Sequence, residues 1–123
     1  MARYPGWTLR ILGPRLPAMG PGRAKLLEQI EQSGSISAAA RELGMSYPRA
    51  WQLVEAINNS FAQQIVLTAI GGPKGGGTQV TPFGHEMLVR YRQMEDKASE
   101  SIAGDIESFS SLLKSPPARA RKR

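Results

Sequence analysis

The stretch that decides the fold runs from residue 35 to residue 51 and reads Ser35-Ile-Ser-Ala-Ala-Ala-Arg-Glu-Leu-Gly-Met-Ser-Tyr-Pro-Arg-Ala-Trp51. Its apolar positions are spaced by threes and fours, which predicts two short helices. Gly44 supplies the tight turn between them, and Ser46 is a good N-cap for the second helix. The first helix starts after a cap at Ser35 or Ser37. Together these features predict a helix-turn-helix.

The helix that follows Ser46 has two unlike faces. One face is apolar, at the repeat a core requires; its residues are Ala50, Leu53, Val54, Ile57 and Phe61. The other face begins with Tyr47, Arg49, Gln52 and Glu55, near the helix N-terminus, where a recognition helix reaches base edges. Pro48 is tolerated in the first turn. Trp51 has two interpretations that stay open, packing under a neighbouring hairpin or contact with the DNA backbone.

Downstream lies a glycine-rich stretch, Gly71-Gly-Pro-Lys-Gly-Gly-Gly77, between the β-prone runs 65–68 and 78–81. A helix pair followed by a hairpin with a cationic tip is typical of a winged helix-turn-helix. Lys74 and free backbone N–H groups can meet phosphate. A nucleotide-binding loop is disfavoured, because the Walker pattern needs Gly-Lys-Ser/Thr opening a helix. A flexible tip without a role remains the alternative.

Upstream, residues 8–12 alternate as a short strand does, whereas the Pro/Gly-rich segment 13–22 predicts an irregular loop. A helix is then expected from about Arg23 to Gln32, ended by Gly34. After the hairpin, Thr81 and Pro82 form an N-cap and first-turn pair. The fold class predicted is mainly α with a small β-hairpin.

A long amphipathic helix is expected from Phe83 to Leu113, with Gly104 a weak point of about 1 kcal/mol relative to alanine. Pro116 and Pro117 end it. Its stripe is longer than a domain this small could cover, so we predict a homodimer through it. The predicted dimerisation residues are Phe83, Met87, Tyr91, Met94, Ala98, Ile102, Ile106 and Phe109.

The composition fits one globular domain: 123 residues, 41% apolar and without cysteine. No apolar run approaches the ~20 residues of a membrane span, and the N-terminus lacks a signal-peptide core, so we expect a cytoplasmic protein. The net charge is +6, but five of the sixteen basic residues lie in the last ten positions and five more in the first twenty-five. Such basic ends favour DNA binding only weakly.

The residues for catalysis are scarce. His85 is the only histidine, and without cysteine the common nucleophilic triads are hard to assemble. We therefore expect no enzyme, no metal site and no cofactor. Asn58-Asn-Ser60 matches a glycosylation sequon but lies within a predicted helix of a chain without a signal, so we set it aside.

Several short motifs together resemble the N-terminal DNA-binding domain of the ModE family of molybdate-responsive transcription regulators. They are residues 33–37, Gly44-Met-Ser-Tyr47, Ala50-Trp51, Ile57-Asn58 and the glycine run 71–77. The resemblance covers roughly residues 9–91, and the LysR-type regulators share the helix-turn-helix more loosely. It implies DNA contacts from the recognition helix and the wing, and dimerisation through the long helix. The DNA-binding residues implied are Ser46, Tyr47, Pro48, Arg49, Trp51, Gln52, Gly72, Lys74, Gly75, Gly76 and Thr78.

These observations predict four regions: a strand and Pro/Gly-rich segment (1–22), a winged helix-turn-helix (23–81), a dimerisation helix (82–113) and a basic tail (114–123). The family's molybdate-binding region would follow the long helix, so we expect no molybdate sensing within this chain and a separate partner for any effector. The predicted function is a transcription regulator, a repressor, that binds inverted-repeat double-stranded DNA as a homodimer. The alternatives are a protein-interaction module and a nucleoid protein that binds DNA non-specifically through its basic ends.

Overall fold

The structure is a computed structural model, and it describes residues 4, 6–14, 17–69 and 77–115. In chain order the elements are β1 (Ile11–Leu12), β2 (Pro17–Met19), α1 (Pro21–Ser33), α2 (Ile36–Leu43), α3 (Tyr47–Ser60), β3 (Val66–Ala69), β4 (Gly77–Val80) and α4 (Pro82–Ser110). Among these described residues, no helix combines the length and the apolar character needed to cross a membrane.

The segment predicted as an irregular loop contains regular structure, so that prediction is wrong. β2 pairs with β1 in an antiparallel hairpin, with Ile11 opposite Met19. Pro17 is the first residue of a strand with a single neighbour, where a missing N–H costs no ladder bond. Pro21 opens α1, two residues before the expected start, since a helix tolerates proline at its first position.

The helix-turn-helix forms as the sequence predicts. Ser35 caps α2, its hydroxyl accepting from the Ala38 N–H at 3.0 Å, which settles the choice between Ser35 and Ser37. Gly34 and Gly44 both have φ of 70°, the left-handed conformation that ends α1 and α2. Ala39 and Ala40 are buried where α2 meets its neighbours, and their small side chains let the helices approach closely.

One core unites the three helices, the hairpin and the start of α4. Its members are buried apolar side chains: Leu26, Leu27, Ile30, Ile36, Ala50, Val54, Ile57, Ile65, Val66, Leu88 and Tyr91. Burying such side chains is worth about 1.5–3 kcal/mol each, so this core carries most of the domain's stability.

β3 and β4 form an antiparallel hairpin, and α4 starts directly after it. Val66 lies opposite Val80. Thr81 caps α4 by accepting from the Gly84 N–H at 2.8 Å, and its hydroxyl donates to the Gln64 carbonyl at 2.7 Å. Gly84 itself packs so closely that an added Cβ would lie 2.4 Å from the Ile65 carbonyl oxygen. The hairpin and α4 are therefore fixed against each other.

A partly buried ion cluster joins α4 to α1. The Arg92 guanidinium donates twice to the Glu28 carboxylate at 2.9 Å and once to Glu95 at 2.8 Å. Glu95 is only 2% exposed. Such a paired charge is costly to break, since removing one partner leaves the other buried without compensation.

Candidate nucleic-acid interface

The recognition helix α3 is held by its cap and by its buried face. The Ser46 hydroxyl accepts from the Arg49 N–H at 3.2 Å, and Pro48 lies in the first turn. Ala50, Val54 and Ile57 are buried. The side chains on the opposite face are thereby presented on a rigid element.

That opposite face is open. Pro48, Arg49 and Gln52 are exposed, and Tyr47 is 50% exposed. At about 100° per residue, Gln52 points away from the buried face of α3, and Arg49 lies about 60° around the helix from Gln52. The surface offers an amide, a guanidinium and a phenol within the first two turns, the groups that read base edges and phosphates.

Trp51 lies on the other shoulder of α3. It is half-buried against the core and meets Tyr47 edge to face, with ring centroids 6.2 Å apart at 80°. The packing positions the Tyr47 ring beside the exposed face. Trp51 thus contributes to the core, and its partly exposed edge remains accessible from the same side as Tyr47.

The predicted wing is described only in part. Gly72, Lys74, Gly75 and Gly76 lie outside the described residues. Thr78 is half-buried on β4, and its N–H donates to the Gly34 carbonyl at 3.1 Å. The hairpin is therefore tied to the turn that precedes α2.

Asn58 fastens the hairpin to α3, a role that sequence reasoning missed. Its side-chain oxygen accepts from the Ile65 and Val66 N–H groups at 2.7 and 3.0 Å, and its amide donates to the Val66 carbonyl at 3.1 Å. The sequence drew attention to Asn58 only as part of a sequon and of a family motif. An asparagine that bonds backbone seven and eight residues ahead leaves no periodic signal.

A cavity of about 400 Å³ lies beside α3, between the β1–β2 hairpin and the start of α1. Arg10, Arg23 and Arg49 line it. The Arg23 guanidinium donates to the Pro17 carbonyl at 2.9 Å. Burial, and then the nearby Arg49 charge, lower the pKa of Arg23. Arg10 and Arg23 were counted in the sequence only as part of a basic N-terminus, because nothing in their spacing showed that they converge with Arg49.

The residues predicted for dimerisation divide into two groups. Tyr91 is 1% exposed within its own chain, and its hydroxyl donates to the Leu9 carbonyl at 2.7 Å. Tyr91 was predicted to lie in the dimer interface, but it is buried in the core of its own chain. Helical periodicity predicts that a residue is covered, but it does not tell which surface covers it. Phe83 and Met87 also pack on this core, and Phe83 meets Phe61 edge to face at 6.3 Å.

The remaining residues are more open. Met94 is 41% and Phe109 66% exposed, while Ala98, Ile102 and Ile106 are half-buried. The N-terminal segment covers part of this stripe, since a Cβ on Gly6 would lie 3.1 Å from Ile106. The Tyr4 hydroxyl donates to Asp96 on the same helix.

His85 has a structural partner. Its Nδ1 lies 2.6 Å from a Glu31 carboxylate oxygen, which links α4 to α1. Within the described part of the chain, no three His, Cys, Asp or Glu residues lie together as a metal site would require.

Comparisons with known proteins agree with this arrangement. A family model described as bacterial regulatory helix-turn-helix protein, lysR family, matches residues 22–85. The molybdenum transport protein ModE of Azotobacter vinelandii is 37% identical over 109 residues, covering 80% of this chain and 40% of that protein. The molybdenum-pterin-binding protein MopB of Rhodobacter capsulatus is 43% identical over 100 residues, covering 81% and 36%.

The DNA-binding transcriptional dual regulator ModE of Escherichia coli K12 is 35% identical over 88 residues, covering 69% of this chain and 34% of that protein. The chain thus spans roughly 34–40% of the length of these relatives. They confirm the resemblance predicted from the sequence. Among solved structures, the CbnR_DBD-DNA complex is similar with a TM-score of 0.52 and 21% identity, covering 73% of this chain and 95% of that one. That likeness confirms the winged-helix fold.

Proposed function

The chain belongs to the lysR family of bacterial regulatory helix-turn-helix proteins, and on that premise we propose that it is a sequence-specific transcription regulator of the ModE type. It binds double-stranded DNA as a homodimer at inverted repeats, acts in the cytoplasm and has no enzymatic role. Repression is the proposed mode, by occupancy of the repeat. The relatives support the regulatory class, and the surface of α3 supports the mode of binding.

One observation carries the proposal: α3 is anchored on one face and exposes Pro48 and Gln52 on the other. A helix held in this way fits the major groove with its N-terminal turns against the bases. Gln52 is the proposed base reader, since a glutamine amide pairs with the N6 and N7 edge of adenine. Ser46 and Tyr47 contact the flanking backbone, together with the open edge of Trp51.

The β3–β4 hairpin would lie against the neighbouring backbone. Its base is bound to α3 through Asn58 and to the α1–α2 turn through Thr78. We propose that Lys74 and the glycines of the tip, Gly72, Gly75 and Gly76, meet phosphate there.

The second half of α4 is the proposed dimer surface, through Met94, Ala98, Ile102, Ile106 and Phe109. Two half-sites one turn of DNA apart require a dimer in which the two copies of α3 are separated by about 34 Å. Any effector would be sensed by a separate partner. Calorimetry with molybdate on this chain should give no saturable heat, whereas a simple stoichiometry per dimer would contradict that part of the proposal.

The test is equilibrium binding across a salt series to two duplexes. One has a mixed sequence, and the other, the selected duplex, carries the sequence that the purified chain enriches from genomic DNA. Both affinities should fall linearly with salt on logarithmic axes, because phosphate contacts release counterions. Gln52→Ala should weaken the selected duplex by roughly tenfold and leave the mixed duplex unchanged. Salt-independent binding, or none, would favour a protein-docking role instead. Equal affinity for every duplex would favour non-specific nucleoid binding.

A further inference from the structure

The cavity beside α3 collects positive charge in one place. Three arginines from different parts of the fold line it. Arg10 directly precedes β1, Arg23 lies at the start of α1, and Arg49 lies in the first turn of α3. Arg10 lies against the backbone at Gly20, with its Nη1 3.4 Å from the position of an added Cβ there. Met19, Met45 and Leu53 complete the wall. We call this cavity the arginine cleft.

The charge in the arginine cleft is not compensated. No acidic residue stands among the described residues that line it. In the same part of the chain, neither Arg10, Arg23 nor Arg49 has a carboxylate within salt-bridge distance, whereas Arg90 and Arg92 on α4 both do. Like charges held together without acids raise the local positive potential and attract an anion.

The cleft also has a half-buried base and an exposed rim. Arg23 is half-buried and anchored by its bond to the Pro17 carbonyl, while Arg10 and Arg49 are exposed. A half-buried guanidinium with two exposed ones above it can grip an extended polyanion that crosses the opening. The planar fork of arginine matches the oxygens of a phosphate in pairs.

We propose that the arginine cleft binds successive phosphodiester groups of the DNA backbone that borders the groove entered by α3. This assignment rests on the proposed function and makes it more specific. It changes the role of Arg49, which the sequence placed at base edges: its guanidinium lies about 60° round the helix from Gln52 and shares the cleft with Arg23. Gln52 then reads sequence, and the three arginines set the register of the helix on the duplex.

The test compares Arg10→Gln, Arg23→Gln and Arg49→Gln with Arg90→Gln, which removes one exposed charge on α4, away from the cleft. Each cleft variant should weaken the selected and the mixed duplex by the same factor, roughly tenfold. The logarithmic salt slope should become shallower by about 0.9, the value for one phosphate. Arg90→Gln should change neither quantity. If Arg23→Gln unfolds, Arg10 and Arg49 carry the test, because among the described contacts only the Arg23 guanidinium, of the three, donates to the backbone of the β1–β2 hairpin.

The outcomes separate the two proposals. A loss confined to the selected duplex for Arg49→Gln would make Arg49 a base reader and overturn the assignment. Cleft variants that behave like Arg90→Gln, while the unmodified chain still binds DNA, would overturn it and leave the proposed function standing. No salt-dependent DNA binding by the unmodified chain would overturn both. A titration with inorganic phosphate identifies the source of the anion: saturable binding that Arg49→Gln abolishes, with DNA binding unchanged, would assign the cleft to a free oxyanion and reject the DNA role.

Discussion

The two halves of α4 share one apolar repeat but have different surroundings. In the first half, Leu88 is 4% and Tyr91 1% exposed, packed against α1 and the hairpin. In the second half, Phe109 is 66% exposed, and Leu113, just past the helix, is 60% exposed. The comparison teaches that one apolar stripe can be buried in the core along one half of a helix and exposed along the other. Its first half completes the domain core, whereas its second half leaves apolar side chains exposed, and this is the surface that we propose for the dimer.

Phe109→Glu tests the second half and has the largest expected effect. In the proposed dimer each protomer buries one Phe109 side chain in the interface, and each burial stabilises the dimer by about 2 kcal/mol. The dimer dissociation constant should rise by roughly a thousandfold. Sedimentation gives the constant, and circular dichroism should show unchanged helix. An unmodified chain that sediments as a monomer at micromolar concentration would contradict the assignment.

Gly84→Ala tests the first half. The new methyl group would lie 2.4 Å from the Ile65 carbonyl oxygen, a backbone atom that cannot rotate away. Overpacking of this kind costs about 3 kcal/mol, so thermal unfolding should shift markedly downward. A melting curve equal to that of the unmodified chain would show that α4 and the hairpin are not in the close contact described.

Tyr91→Phe tests whether that residue belongs to the core. It leaves the Leu9 carbonyl without its donor, at a cost of about 1.5 kcal/mol. Burial, and then Glu95, raise the pKa of Tyr91 to about 12. The unfolded chain releases this proton near pH 10, so the stabilisation present below pH 10 is lost as the pH rises toward 12. The gap between the two chains in denaturant titrations should narrow over that range. If the difference in unfolding free energy between the unmodified chain and Tyr91→Phe did not change with pH, the raised pKa of Tyr91 would be contradicted.

Gly104→Ala has the smallest effect and the opposite sign. A Cβ at Gly104 would meet no heavy atom within 4 Å in the described part of the chain. Alanine should therefore stabilise α4 by about 0.8 kcal/mol through helix propensity alone. Together with Gly84→Ala, it gives the same chemical change in the two halves with opposite results. Destabilisation at Gly104 would mean that its face of the helix is covered.

The sequence was sufficient where local chemistry decides the structure. Ser46, Gly44 and Thr81 act through neighbours three or four residues away, and the caps that they predict are present. A short strand was predicted over residues 8–12, where β1 lies, but β2 and its pairing with β1 were missed because proline is read as a strand breaker, although Pro17 begins an edge strand.

The candidate site was predictable only in part, because some of its residues are brought together from distant parts of the chain. The exposed face of α3 follows from helical spacing, and Gln52 is exposed on it. The DNA contacts predicted for this helix stay predictions. The arginine cleft depends on Arg10 and Arg23 meeting Arg49 from 39 and 26 residues away in the chain. Whether Tyr91 belongs to the core or to a dimer interface likewise depends on which surface covers it. Contacts between distant segments leave no periodic trace.

The central claim is that two copies of α3, joined through α4, read an inverted repeat. Selection of fragments of genomic DNA by the purified chain, followed by sequencing, tests it most directly. The account predicts enrichment of one inverted repeat whose half-sites are centred about 10 base pairs apart or a multiple of that. It also predicts that Gln52→Ala loses this enrichment. Fragments bound without any enriched sequence, or an enriched single half-site, would contradict the claim.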